Sequence, residues 1–279
     1  MREYSNKISL TKNARGIYSL DPSIGCASGM ANELGGCFND CYAAKSSKLY
    51  GYDFSKTVYR FFESEIHRRL IIKRINKIKL DFVRMGTSGD PSENWEHTIS
   101  ILRKIDTCNK QIVIITKHWK NLTIEQMEYL ATINVCINTS VSALDKEHIR
   151  TNAINQYNKL KFYCKSILRI VSADFNLSNE EGHRLAKIQA ELFKNDSTLD
   201  TVLRLNKKNE LIKKGIVNVS ESEFLGKKAL ISKFKKSTYF GKCSTCYEMC
   251  GLNINPKLKE YPKKNGISKQ LQMFKIKTN

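Results

Sequence analysis

LDFVRMGTSGDPSENWEHTISILRKI, residues 80–105, contains one complete structural unit, and the remainder of the chain repeats its plan. LDFVRM (80–85) is a short apolar run of strand length with aromatic and β-branched content. A glycine-acid turn follows at Gly86, Thr87, Ser88, Gly89 and Asp90. Ser92 then stands before Glu93 as a helix-start signal, and residues 93–106 have a helical apolar period. The other strand candidates are IVIIT (112–116), VCINTSV (135–141), SILRIVS (166–172) and TVLRLN (201–206), with IYSL (17–20) as the first. Between them lie helix candidates near 56–76, 123–131, 146–160 and 179–194. Thr123 with Gln126, and Ser178 with Glu181, have the spacing of capping boxes. Strands alternating with helices make βα units and a parallel sheet.

Period-2 parity separates the faces of these strands. Asn138, Ser140 and Ser142 share one face, and Ile137, Thr139 and Val141 the other. Arg84, Arg169 and Arg204 each stand near the C-terminal end of a different strand. A parallel strand covered on both faces is apolar almost throughout. Polar residues recurring at strand C-termini instead point to an α/β barrel whose interior opens on a ligand. The competing reading of each arginine is a satisfied ion pair or a snorkelling side chain. The expected architecture is a partial (β/α)6 barrel over residues 1–206, with residues 207–279 as a basic, cysteine-rich C-terminal extension.

Two of these regions concentrate thiols. Cys26, Cys37 and Cys41 lie within GCASGMANELGGCFNDCYAAK (25–45), in the first βα connection, where glycines let backbone fold closely around a bound group. Three thiolates leave one coordination position open, as in iron–sulfur clusters and catalytic metals, whereas a closed zinc site takes four ligands. Cys243, Cys246 and Cys250 form a second group in KCSTCYEMCG (242–251), a site for an auxiliary iron–sulfur cluster or for zinc. The alternative for either group is buried or disulfide-paired cysteine. Cys108, Cys136 and Cys164 read as buried apolar thiols, and the five histidines have no metal-ligand spacing.

Composition narrows the setting. The polar, basic N-terminus has no apolar signal core, and no stretch has the apolar length of a membrane helix. Nine cysteines without a secretion signal fit a reducing compartment, so a cytoplasmic protein with no membrane partner is expected. The net charge is +20, of which residues 207–279 contribute +12 through 17 lysines against 5 glutamates. Such a region is the footprint of a polyanion binder, with RNA or DNA as partner, although a solvated lysine face reads the same way.

The cysteine triplet in the first βα loop, the glycine-acid turn after the second strand and the six βα units together resemble the radical S-adenosylmethionine (SAM) superfamily. More narrowly, CYAAK (41–45), VRMGTSGDPS (83–92), VIITK (113–117) and the late cysteines are similar to a phage-encoded branch of radical-SAM-like proteins, over most of residues 15–250. The resemblance implies that Cys26, Cys37 and Cys41 ligate a 4Fe–4S cluster whose fourth iron binds the amino and carboxylate groups of SAM. It implies that Gly86 to Asp90 hydrogen-bond the SAM amino group and that Ser140 and Ser142 reach its ribose or carboxylate. Thr116 and Lys117 occupy the corresponding end of the third strand, and Tyr42, Asn138 and Arg169 complete the expected cofactor contacts.

The implied activity is reductive cleavage of SAM, fed by a donor such as flavodoxin or ferredoxin, to a 5′-deoxyadenosyl radical that attacks an unknown substrate. The sequence departs from the superfamily pattern in its spacing, C-x10-C-x3-C rather than C-x3-C-x2-C. Asp40 precedes Cys41 where the superfamily has an aromatic, and Tyr42 follows it. The rival class is a zinc-stabilised nucleic-acid-binding protein without SAM chemistry. In either case the late cysteines are expected to pin the lysine-rich extension, which in the enzyme would cap the lateral opening of the barrel.

Overall fold

The computed structural model describes residues 2–13, 16–31, 37–38, 40–195, 198–224, 227–235 and 238. Their elements run β1 (Thr11–Lys12), β2 (Tyr18–Ser19), β3 (Ser23–Ile24), α1 (Ala27–Ala31), α2 (Tyr42–Leu49), β4 (Val58–Tyr59), α3 (Glu65–Asn76) and β5 (Phe82–Met85). A single 3₁₀ turn at Pro91–Glu93 precedes α4 (Trp95–Lys104), β6 (Gln111–Thr116), α5 (Ile124–Ala131), β7 (Val135–Val141) and α6 (Glu147–Leu160). The chain continues through β8 (Lys165–Ser172), α7 (Glu180–Leu192), β9 (Thr198–Leu205), α8 (Glu210–Lys213), β10 (Ser220–Phe224) and β11 (Lys227–Ser232).

Strands β2, β5, β6, β7, β8 and β9 lie side by side in chain order and all run parallel. β1 flanks β2 antiparallel, and at the other edge β11 pairs antiparallel with β9 and β10 antiparallel with β11. Strands added in chain order to one edge, through crossovers of one hand, put every helix on the same face. The packing agrees. Val83, Met85, Ile112, Ile114 and Ile137 bury against Ile71 and Ile75 of α3, Ile101 and Leu102 of α4, and Leu130 of α5. Further along the same face, Val141, Leu168 and Ile170 pack on Ala153 and Tyr157 of α6 and Leu192 of α7. The opposite face carries an apolar layer of Phe82, Val113, Cys136 and Ile167, one residue from each of β5 to β8, together with Ile17 just before β2. Asn138, Ser140 and Arg169 share its parity and lie further toward the strand C-termini. The mostly parallel α/β sheet is therefore as expected, and β7 matches the expected strand 135–141 end for end.

The differences are local. The expected helix 56–76 begins only at Glu65, because Val58–Tyr59 forms β4 and pairs with β3. Ser92 does not cap α4, since Pro91–Glu93 close a 3₁₀ turn first and Asn94 accepts from the His97 amide. Asn179, not Ser178, caps α7, while Thr123 and Gln126 form the expected capping box. The sheet also continues past residue 206, because Leu230 of β11 pairs with Leu205 of β9. β10 and β11 thus extend the sheet edge. Cys243, Cys246 and Cys250, with the cap expected around them, lie outside the described residues. Among the described residues no helix is long and apolar enough to cross a membrane.

Candidate metal centre

The site is built where β2 and β5 end. Asp21 follows β2 and is buried; its Oδ1 accepts from the amides of Gly86 and Thr87, both at 2.9 Å, and its Oδ2 from Ser88 at 3.1 Å. Burial raises the Asp21 pKa, opposed by these amide bonds and by the nearby Arg60 guanidinium. With the amides turned toward Asp21, the carbonyls of the turn serve other elements. Thr87 O accepts from the Tyr42 hydroxyl at 2.5 Å and Ser88 O from the Gly25 amide at 3.0 Å. Gly86 has φ +88°, and a Cβ there would lie 2.1 Å from Ile115 O, so no other residue fits the turn.

The cysteine loop is anchored at both ends, to different parts of the fold. The Cys26 amide donates to Phe54 O at 2.9 Å. Two residues on, the Ser28 amide and hydroxyl both donate to the buried Glu93 carboxylate, at 2.8 and 2.9 Å. At Gly29 a Cβ would stand 2.6 Å from Cys26 Sγ, so the first turn of α1 leaves the thiol room that any side chain would fill. At the other end the Asp40 carboxylate accepts from the Asn206 amide at 3.0 Å and from Asn209 Nδ2 at 2.5 Å, and it pairs with Lys45. Asn209 Nδ2 also reaches Phe38 O at 3.0 Å. Asp40 therefore anchors the loop to the segment between β9 and α8.

The three thiols differ in their protonation. The Cys37 thiol donates to the Cys41 sulfur, which holds Cys41 down at about 6; burial opposes this, and the amides of Ala44 and Ala43 at the start of α2 assist. The same bond raises Cys37, with burial adding to it. Cys26 is pushed up by burial and by the Asp90 and Glu93 carboxylates.

All three cysteines line one cavity of about 160 Å³ at the C-terminal edge of the parallel strands. Its wall includes Tyr42, Gly86, Thr87, Gly89, Asp90, Thr116, Lys117, Ser140 and Arg169, nine of the twelve expected cofactor contacts. Arg169 donates to Ser140 Oγ at 3.3 Å. The other three stand apart from the cavity. Ser88 is held by Asp21 and Gly25, and Asn138 is fully buried further down β7. The Ser142 hydroxyl donates to Val171 O at 2.9 Å, and its amide to Asp145 Oδ2 at 2.7 Å, inside the turn after β7.

Two expected contacts are engaged by the protein itself. Asp90 Oδ1 accepts from Thr116 Oγ1 at 2.7 Å and from the Ser92 hydroxyl and amide at 2.8 and 2.9 Å, and Oδ2 accepts from the Lys117 amide at 2.8 Å. Asp90 therefore joins the ends of β5 and β6 and positions the turn, and burial raises its pKa. Lys117 Nζ is 2.5 Å from Asp145 Oδ1 in a buried ion pair and 5.0 Å from the Phe38 ring centroid. Burial opposes its charge, but the Asp145, Cys37 and Asp90 charges outweigh burial and keep the ammonium above its ordinary range.

His118 brings its neighbours to the cavity. Its φ of 55° is left-handed, a conformation in which histidine is enriched, so Thr116, Lys117 and Trp119 all reach the same wall. Its amide donates to Thr116 Oγ1 at 2.9 Å, and its Nε2 lies 3.0 Å from Thr139 Oγ1. Burial lowers the ring pKa to about 3. The folded ring stays neutral while the unfolded ring takes a proton below about pH 6.5. Stability is therefore fully present above that pH and is lost as pH falls toward 3, at about 1.4 kcal/mol per unit. Urea melts at pH 7 and 4.5 should differ by about 2–3 kcal/mol more in the parent protein than in His118→Asn, whose side chain tolerates the left-handed turn. Identical pH slopes in the two proteins would refute this.

The donor set suits a thiolate-bound iron–sulfur group. Among the described residues no three His, Cys, Asp or Glu side chains stand at the spacing of one ion's ligands. The fit is supported by the space beside Cys26 at Gly29 and by the cavity-lining Trp119, whose buried Nε1 has no partner among the described residues. Sequence reasoning missed Asp21, Glu93, Trp119 and Asn209. The available signal was position, since Asp21 and Trp119 stand just beyond the C-terminal ends of β2 and β6, where parallel sheets bind ligands. No protein-family model, curated protein or solved structure matches this chain.

Proposed function

We propose that the chain is an iron–sulfur enzyme of the radical SAM type, with Cys26, Cys37 and Cys41 holding a 4Fe–4S cluster. The observation that carries this reading is the common cavity: three thiols from one loop, the Gly86–Asp90 turn and the ends of β6, β7 and β8 meet in it. Six parallel strands in chain order with helices on one face are the arrangement of a partial barrel, whose interior would be the Asn138–Arg169 face. When bound, the cluster supplies the electron that cleaves SAM into methionine and a 5′-deoxyadenosyl radical.

The chain's own residues supply position and charge. Glu93 and Gly29 fix Cys26, the amides of α2 face Cys41, and the Thr87 carbonyl keeps a second lone pair beside its Tyr42 bond with which it would accept from an ammonium. Arg169 and Ser140 stand on the opposite wall, where a carboxylate or ribose hydroxyl would find a cation and a hydroxyl. The cavity is smaller than the roughly 300–1,000 Å³ of typical ligand sites, so the nucleoside of a bound SAM would extend beyond it. The +20 charge favours a polyanionic substrate, RNA or DNA, bound through its phosphates.

The test is anaerobic reconstitution of the full chain, with iron and sulfide assays, followed by SAM and a one-electron reductant. The parent protein should form 5′-deoxyadenosine. The Cys26→Ala/Cys37→Ala/Cys41→Ala variant should lose about four irons per chain, one 4Fe–4S cluster, and all 5′-deoxyadenosine formation. Product formation by that variant would exclude the assignment, and a parent protein holding zinc instead of iron would favour the nucleic-acid-binding alternative.

A further inference from the structure

The chain has two tryptophans, Trp95 and Trp119, and their indole N–H groups are treated differently. Trp95 Nε1 donates to Lys120 O at 2.8 Å. Trp119 Nε1 is shielded from solvent and has no hydrogen-bond partner among the described residues. A buried donor without an acceptor costs free energy, and native structures keep few of them without a reason. Trp119 lines the cavity of the three cysteines. Its edge is close to the first of them: the Cβ position at Gly29 lies 2.6 Å from Cys26 Sγ and 3.6 Å from Trp119 Cζ2, the ring carbon next to the one that carries Nε1.

The ring is also fixed there by the site's own framework. The Trp119 amide donates to Ser92 Oγ at 2.8 Å, and that hydroxyl donates to Asp90 Oδ1 at 2.8 Å. The left-handed turn at His118 sets the direction in which the chain leaves β6, and Asn152 Nδ2 holds His118 O at 2.9 Å. A donor held this firmly beside Cys26, with no acceptor among the described residues, suits an acceptor on a group bound in the cavity.

We propose that the Trp119 indole N–H donates a hydrogen bond to a sulfur of the iron–sulfur group held by Cys26, Cys37 and Cys41, and so sets its reduction potential. This rests on the cluster assignment above. Hydrogen bonds to the sulfurs are among the protein's means of tuning such groups, because reduction adds negative charge that the donor stabilises. Trp119 is on this reading a positioning and tuning residue, which touches the group without ligating it.

The test compares the parent protein with Trp119→Phe, both reconstituted anaerobically, by iron content and by potentiometric titration followed by electron paramagnetic resonance. The phenylalanine keeps the ring and removes the N–H. Iron content should be unchanged, and the one-electron reduction equilibrium should shift about tenfold toward the oxidised form, which is a fall of 59 mV in midpoint potential. An unchanged potential with full iron content overturns the proposal and leaves the cluster assignment standing. Loss of iron in the variant also overturns it, since the ring would then serve the holding of the group. A parent protein that binds no iron overturns the cluster assignment and this inference with it. Should Trp119→Phe fail to fold, the reduced parent protein labelled with ¹⁵N-tryptophan decides the matter: hyperfine coupling to an indole nitrogen supports the bond, and its absence refutes it.

Discussion

Replacing Asp21 with alanine is expected to destabilise the fold by about 3–6 kcal/mol, the sum of leaving three amide donors of the Gly86–Ser88 turn without their acceptor. Each bond is of ordinary length, but all three converge on one buried carboxylate, and the turn they hold joins β5 to the cysteine loop. Asp21→Asn should cost less, about 1–3 kcal/mol. Its remaining carbonyl can keep both the Gly86 and Thr87 bonds, which share Oδ1, while its amide faces the Ser88 donor. Denaturant unfolding of the two variants checks the ordering. An alanine variant within about 1 kcal/mol of the parent would show that solvent replaces the carboxylate and that the turn does not depend on it.

The second large effect is expected at Lys117. Lys117→Ala leaves the Asp145 carboxylate, only 2% exposed, without its counter-ion, and breaking one side of a buried pair costs about 3–5 kcal/mol. The variant Lys117→Met/Asp145→Asn should recover most of that loss. It retains an oxygen for the Ser142 amide, bonded to Asp145 at 2.7 Å, and leaves no charge unpaired. Unfolding free energies of the single and double variants give the comparison, and a single variant as stable as the parent would show that the pair is not shielded from water. Because Lys117 also lies near Cys37, the single variant removes a cation from the thiol site.

The parallel sheet was legible because its strands are dense β-branched runs separated by segments of helical period. VCINTSV and IVIIT leave little freedom in either length or direction. Helix starts were less legible. Asp90, Pro91, Ser92 and Glu93 each look like a start signal, and the 3₁₀ turn they form moves the true cap to Asn94. β10 and β11, SESEF and KKALIS, carry little apolar content and read as part of a solvated basic tail. Only the pairing of β11 with β9, and of β10 with β11, makes them strands. The cysteines and most of the cavity wall followed from motif and strand position. What did not follow is which polar groups face a ligand and which face each other. Asp90 and Lys117 have the chemistry of ligand contacts, yet their partners, Thr116, Ser92 and Asp145, are fixed by tertiary packing that no local pattern encodes.

The anchoring of Asp40 by Asn206 and Asn209 sets an order of events during synthesis. The closing bonds of the Cys37–Cys41 segment span 166 and 169 residues, so the segment emerges from the ribosome long before its anchors exist. At about 5–20 residues per second that interval is roughly 8–34 seconds. Throughout it, Cys37 and Cys41 lack the two bonds that later tie Asp40 to the segment between β9 and α8. The surroundings of these two thiols are therefore completed only when the chain has been made past Asn209, and a chain cut before Asn206 would present them without this closure.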